Sequence, residues 1–212
     1  MKKINKEHKE RVMKIVEKAD EAVVAFAAAE SGIEDGLYRS KIKDRTGKQE
    51  TLMNGARWDE NSYNQVNVKV IDTLDAVTSP AVIDLFNPNV VDVYSAKLKE
   101  LEFGAESMQI VWEGSSLLTV HLMQWDGTNL TSLSKISIGS GQIIDIVGTN
   151  VYRLLLTTST PVKNIRITAT KKDNGNGAPV PIPEALSIES NGFYRSATQA
   201  IRMRFPLESP IP

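Results

Sequence analysis

No cysteine occurs among the 212 residues, which excludes a disulfide framework, a thiolate zinc site, an iron–sulfur cluster and a cysteine nucleophile. Histidine is nearly absent too, so imidazole chemistry has to run on His8 or His121. Charge of either sign is not in excess: 25 Lys+Arg face 26 Asp+Glu, and no global field draws the chain to nucleic acid or anionic lipid. Long apolar runs are missing as well. The longest, Ala22 to Ala29, has eight residues against the ~20 that span a bilayer. Lys2 and Lys3 precede a charged stretch, and Asp20 and Glu21 abut that run, which does not fit a secretory leader. The expectation is synthesis in a cytoplasm, with no membrane partner. The length suffices for one medium domain with an appendage, or two small ones, with a core that needs no staples.

Residues 1–31 read as one helix. Val12, Ile15, Ala19, Ala22, Phe26 and Ala29 recur at spacings of three and four, with Met13, Val16, Val23 and Ala27 beside them, the stripe of an amphipathic helix that wants a partner. Gly32 stands where a helix-ending glycine belongs. The first eighteen residues carry seven Lys/Arg against three Glu, a solvated face or an arm that contacts a neighbouring subunit or nucleic acid. Three alanines in the seam favour docking on something larger over a free-standing coiled coil.

Residues 32–92 read as an irregular arm that wraps neighbours, with Gly32, Gly36, Gly47 and Gly55 punctuating a polar stretch. Within it, Gln65 to Ile71 alternates as a strand, and Pro80 opens a short helix or turn over Ala81 to Phe86. Residues 93–172 carry seven runs rich in Val, Ile, Leu and Thr: 93–103, 108–112, 117–125, 133–138, 142–147, 151–157 and 162–170. Turn residues separate them, the pattern of an antiparallel sandwich or jelly roll. Ile143-Ile144 and Leu154-Leu155-Leu156 are apolar on both faces and call for cover on each side. Residues 173–183 hold two Gly and three Pro and read as a linker. Residues 184–212 form a tail with a strand pair at 186–188 and 200–205, in which Ile201, Met203 and Phe205 alternate with Arg202 and Arg204 as on an edge strand. The expected fold is mainly β: an antiparallel, jelly-roll-like β-sandwich with an N-terminal α-helix and extended arms.

The search for chemistry returns refusals. Thr46-Gly47-Lys48 lacks the first glycine and the Ser/Thr of a phosphate loop. Gly139-Ser140-Gly141 reads as a hairpin turn. Asp173 to Gly177 places glycines where a calcium loop needs oxygens. Asp59-Glu60 and the pair Glu100 and Glu102 read as surface carboxylates. His121 has no partner set and reads as a packed or half-exposed strand residue, and His8 as a helix-surface residue. Asn129-Leu130-Thr131 fits the glycosylation pattern, with no secretory signal to bring it into use. No catalytic residue, metal or cofactor is expected, and a scaffold or binding role is favoured over an enzyme.

One segment has a recognisable character: Trp125-Asp126-Gly127-Thr128-Asn129-Leu130, a strand ending in an aromatic, an Asp-Gly turn, then a second strand. With Val151 to Leu156 and Ile165 to Ala169 following, residues 93–171 resemble discoidin-like sandwich modules and the virion proteins of tailed bacteriophages. Leu130 stands where the hairpin pattern has Trp. The resemblance implies a virion component, made in the host cytoplasm: a capsid decoration, head-fibre base, neck or tail-associated protein. Its partners would be other virion proteins and copies of itself, and its arms would dock through Val12, Ile15, Ala19, Ala22 and Phe26 and through Ile201, Met203 and Phe205. Nucleic acid would be reached only through the basic helix start. The alternative is a carbohydrate- or receptor-binding module in which Trp125, Asp126, Trp112 or Tyr152 meets a glycan.

Overall fold

A computed structural model describes residues 2–41, 47–76, 80–90, 93, 95–146, 150–172 and 175–212. The fold is mainly β, with one N-terminal helix and three four-stranded antiparallel sheets. The chain divides into two compact units, residues 1–63 with 186–205 and residues 64–185 with 206–212. No helix among the described residues is long and apolar enough to cross a membrane.

The first unit holds α1 (Lys2–Lys41) and, up to Tyr63 and from Leu186, the sheet β1-β2-β11-β12, formed by β1 (Lys48–Thr51), β2 (Arg57–Val66), β11 (Ile182–Tyr194) and β12 (Ala197–Phe205). The helix does not stop at Gly32. It continues to Lys41 because Gly32 and Gly36 serve close approach rather than termination: a Cβ on Gly32 would strike Ser190, and one on Gly36 would lie 2.7 Å from both Ile188 Cγ2 and Glu60 Oε1. From the other side, a Cβ on Gly192 would run into the backbone of Ala25 and Ala29. Small residues on both surfaces bring helix and sheet together, and Ala25, Ala28, Ala29 and Ile33 are buried there. The expected pair of short strands in the tail is a hairpin of 13- and 9-residue strands, in register from Leu186 opposite Phe205 to Tyr194 opposite Ala197. Arg195 turns it with φ 49.

The second unit is the sandwich. Its strands are β3 (Lys69–Leu74), β4 (Ala81–Leu85), β5 (Ser107–Glu113), β6 (Leu118–Trp125), β7 (Leu130–Ile138), β8 (Ile143–Asp145), β9 (Val151–Thr158) and β10 (Val162–Thr170). They form sheets ordered β3-β10-β5-β8 and β4-β9-β6-β7. The first strand of the eight pairs with the last, the second with the seventh, the third with the sixth and the fourth with the fifth; this is the nested Greek-key order of a jelly roll. Inward-pointing residues of both sheets, among them Leu85, Ile110, Leu118, Leu122, Tyr152, Leu154, Leu156, Ile165 and Ile167, are at most 2% exposed and form one core. At that size the core supplies the main drive for folding.

Several local expectations are corrected by this packing. The sandwich begins at β3, inside the tract read as an irregular arm. Val66 ends β2, and Val70 belongs to β3, where it sits opposite Arg166 and stays 51% exposed, so Gln65 to Ile71 is not one strand but the end of β2, a bend at Asn67 and Val68, and the start of β3. Residues 81–85 are a strand, not a helix: Ile83 and Leu85 point inward while Val82 stays exposed, and the strand takes a sheet edge, where a preceding proline costs no ladder bond. The run 93–103 contains a 3-10 turn at Leu98–Leu101 instead of a strand. Leu101 and Phe103 are buried there, and the Asn87 N–H donates to the Leu101 carbonyl at 2.8 Å. Gly139-Ser140-Gly141 is no hairpin turn either; it carries the chain from β7 in one sheet to β8 in the other. Ser140 Oγ fastens that crossing by accepting the Trp112 N–H and donating to its carbonyl, both at 2.8 Å. The runs apolar on both faces are covered on one: Ile144, Leu154 and Leu156 are buried, Leu155 is half-buried, and Ile143 is 37% exposed. Asp173 and Asn174 of the expected linker and Thr46 lie outside the described residues.

Candidate functional site

The helix presents two apolar faces. One, through Ala25, Ala28, Ala29, Gly32, Ile33 and Gly36, lies on the sheet. The other is the stripe read from the sequence, whose last member Ala29 turns onto the sheet while nothing among the described residues covers its larger side chains: Val12 is 45% exposed, Ile15 68% and Phe26 46%, with Met13, Val16 and Val23 exposed beside them. Ala19 is exposed and Ala22 half-buried. Every residue from Lys6 to Asp20 is exposed, so this half of α1 holds its shape through helix propensity and pairs such as Glu7/Arg11 and Glu10/Lys14 at i,i+4 spacing, each worth only a few tenths of a kcal/mol.

Ile201, Met203 and Phe205 lie on β12, which occupies an edge of its sheet. Ile201 is opposite Ser190 and Met203 opposite Ile188, the residues that approach Gly32 and Gly36 of the helix. Directly opposed residues share a face, so this row is on the helix side of the sheet. Met203 is 41% exposed, Ile201 and Phe205 half-buried. The structure thus brings the two expected docking segments into one unit, while leaving them as a stripe and a row rather than a closed pocket.

Beneath the helix is a feature the sequence reading missed. Glu60, taken as a surface carboxylate, has a fully buried side chain and pairs with Arg39, whose Nε also donates to Asp35 at 2.6 Å. Its Oε1, Ser62 Oγ and Ser190 Oγ have no hydrogen-bond partner among the described residues. The signal was the alternation Trp58, Glu60, Ser62 in β2, whose inward positions are all buried.

Trp125 and Asp126 sit at one end of the sandwich. Trp125, opposite Leu130, is half-buried against a second cluster of Phe86, Val93, Leu101, Val151 and Ile211. It helps line a groove of about 240 Å³ with Val93, Ala96, Leu98, Leu101, Gly127 and Pro210. Asp126 is exposed, and its Oδ1 accepts the backbone N–H groups of Asn129 at 2.7 Å and Thr128 at 2.8 Å. Those donors hold its carboxyl below the usual range. Its first task is the turn. Trp112 and Tyr152 are withdrawn from any surface role: Trp112 is 5% exposed with Nε1 donating to the Ser116 carbonyl at 3.1 Å, and Tyr152 is fully buried, which raises its phenol.

His121 is half-buried on β6, with Nε2 2.8 Å from Ser132 Oγ, and His8 is exposed on the helix. Among the described residues no group of three His, Asp or Glu is placed to hold a metal. A shallow depression of about 490 Å³ lies outside β3, β10 and β5, where Arg166 is flanked by Val70 and Val111. The C-terminal residues are fastened by Arg153: its guanidinium pairs with Asp84 at 2.7 and 3.0 Å and donates to the carbonyls of Ile211 and Pro212, both at 3.2 Å. Compared with protein families, curated proteins and solved structures, the chain matches none.

Proposed function

We propose that this chain is a structural component of a tailed-phage particle, such as a capsid decoration, head-fibre base, neck or tail-associated protein, that works through protein–protein contacts. The observation that carries the reading is the helix half from Lys6 to Asp20, exposed at every position yet bearing a continuous apolar stripe. Exposed apolar surface of that extent marks an interaction site. The other unit is a jelly roll with a packed core, and virus shells are among the settings that use this architecture; lectins are another, so the fold alone does not choose. The test is to band particles from a lysate and quantify the chain against the major shell protein by mass spectrometry. A fixed copy number per particle supports the reading. Abundance in the lysate with absence from the particles overturns it.

The second reading, a glycan- or receptor-binding sandwich, draws on the half-buried Trp125 wall of the groove at the sandwich end. Trp125→Ala should then abolish binding on a glycan array while leaving the thermal transition of the chain in place; an array silent for the unaltered chain removes this reading.

A further inference from the structure

The stripe on α1 has a self-complementary charge pattern. Residues 2–18 carry seven Lys/Arg against three Glu, and residues 19–38 carry Asp20, Glu21, Glu30, Glu34 and Asp35 with no Lys or Arg. From Lys6 to Lys18 the basic half is exposed, and so are Asp20, Glu30 and Glu34 of the acidic half. Two copies laid parallel would set a +4 segment against another +4 segment. Laid antiparallel, each basic half would meet an acidic one, and the helix dipoles would oppose favourably.

The heptad positions sharpen this. With Val12, Ile15, Ala19, Ala22 and Phe26 as the seam, the row that flanks it at seven-residue intervals is Lys9, Val16, Val23 and Glu30, all exposed. Read antiparallel, that row is its own complement: Lys9 comes beside Glu30 of the partner subunit, and Val16 beside Val23 of the partner subunit. In the seam, Ile15 then meets Phe26 of the partner subunit, and Ala19 meets Ala22 of the partner subunit, where small side chains permit close approach. The opposite flank brings Lys18 toward the sheet-covered side of the partner helix at Ala25 of the partner subunit and places no like charges together. The stripe lies about a quarter-turn round the helix from the face on the sheet, so a partner helix meets Val12, Ile15, Ala19 and Phe26 without displacing the sheet, and the two contacts adjoin at Ala25 and Ala29, which the sheet buries.

We infer that the N-terminal helix is a self-docking element, and that a second copy of this chain covers the stripe as an antiparallel, two-fold helix pair centred between Ala19 and Ala22. The inference rests on reading the stripe as a docking surface and names its occupant. Such an arrangement is isologous and closed, so it yields dimers and not filaments, and two-fold contacts between capsomers or around a neck are the kind of joint it would make. A pair of this length is at the small end of stable interfaces, so dimerisation should be concentration-dependent.

The full chain, which has no cysteine to interfere, is measured by sedimentation equilibrium from about 5 to 200 µM, the range suited to a small interface. A monomer–dimer equilibrium is expected. Ile15→Glu and Val23→Glu, both at exposed positions, should each weaken it by about tenfold or more with unchanged helical circular dichroism. Lys9→Glu should weaken it about three- to tenfold, and Lys9→Glu with Glu30→Lys should restore it. Orientation is read with a short thiol-reactive cross-linker: Lys9→Cys with Glu30→Cys should give covalent dimer, and each single variant should not. A monomer throughout the range, a dimer indifferent to Ile15→Glu and Val23→Glu, or cross-linking of Lys9→Cys alone would each overturn the inference. These outcomes are independent of the particle analysis: a monomer found in particles at fixed copy number defeats the helix pair and leaves the particle reading standing, and an antiparallel dimer absent from particles does the reverse.

Discussion

In the jelly-roll unit the interior is filled by Leu, Ile, Val, Phe, Trp and Tyr around two facing sheets, while in the helix-bearing unit Ala25, Ala28, Ala29, Gly32, Gly36, Gly192 and a charged pair, Arg39 and Glu60, share the buried contact with only a few large apolar side chains, Ile33, Trp58 and Ile188. The first is held by apolar area removed from water. The second buries little area per residue; it relies on close backbone approach and on a salt bridge whose desolvation penalty offsets much of its attraction. A unit of that kind is easily broken at one polar atom, and it offers its remaining apolar surface outward.

The largest expected effect follows from that polarity. Arg39→Met leaves Glu60 buried without its cation and should destabilise the helix-bearing unit by about 4 kcal/mol, whereas Arg39→Met with Glu60→Leu should recover most of the loss. Trp58 is buried in this unit and is its only tryptophan, so Trp58 fluorescence in a background with Trp112 and Trp125 changed to Phe follows its unfolding in urea. A single variant indistinguishable from the parent would show that the pair contributes nothing there.

Next is a deletion in the apolar interior. Leu154 is fully buried in β9, and Leu154→Ala should cost about 3 kcal/mol through lost burial and a residual cavity, read by Trp112 fluorescence. If the two units are held as differently as their interiors indicate, this variant moves the sandwich transition and leaves the Trp58 transition within a few tenths of a kcal/mol.

How much of this was legible follows the same division. Alternation in Ile165, Ile167 and Ala169 and the apolar runs of β5, β6 and β9 announced the sandwich, because one-sided burial of a strand writes a period of two into the sequence. β3 and β4 were harder: Lys69 to Leu74 is short with two acidic or polar positions outward, and Pro80 reads equally as a strand edge or a helix start. Gly32 looked like a helix end and Gly36 like punctuation of an irregular arm, because a glycine needed for close approach carries no local mark that separates it from one needed for a turn; only the facing Ser190 and Ile188 tell them apart. Periodicity reports a helix face whether or not anything covers it, so the stripe from Val12 to Phe26 was visible in the sequence, whereas the turn of Ala29 onto the sheet was not. Glu60 was missed because a buried carboxylate is recognised by its partner, and Arg39 lies 21 residues away.

A smaller effect concerns the C-terminal segment. Asp84 accepts from Arg153 and from Ser209 Oγ at 2.5 Å, and Ile211 is buried in the second cluster of the sandwich unit. Arg153→Ala should remove these charge-assisted bonds at a cost of about 2 kcal/mol and raise amide exchange over 207–212, with β5 and β10 unchanged. Exchange that rises equally in β5 and β10 would mean that Arg153 supports the sandwich as a whole and not its terminal segment.

The smallest effect is at the Asp126 turn. Its folded carboxyl titrates below the ordinary range because the N–H groups of Asn129 and Thr128 favour the ionised form. A group depressed in the folded state contributes stability above its unfolded pKa and loses it as pH falls through the folded value. The contribution is therefore complete above about pH 5 and declines below about pH 4, the range set by an unperturbed aspartate. Asp126→Asn keeps an acceptor for the turn but cannot titrate. The two proteins should therefore differ in midpoint at pH 6, and the difference should shrink as pH falls below about 4. A difference that persists unchanged at pH 3 would assign the effect to the shape of the turn and not to its charge. Because the second cluster around Trp125 is shallow compared with the main core, the hairpin is the place in the apolar unit where a single polar acceptor can still be seen in the stability.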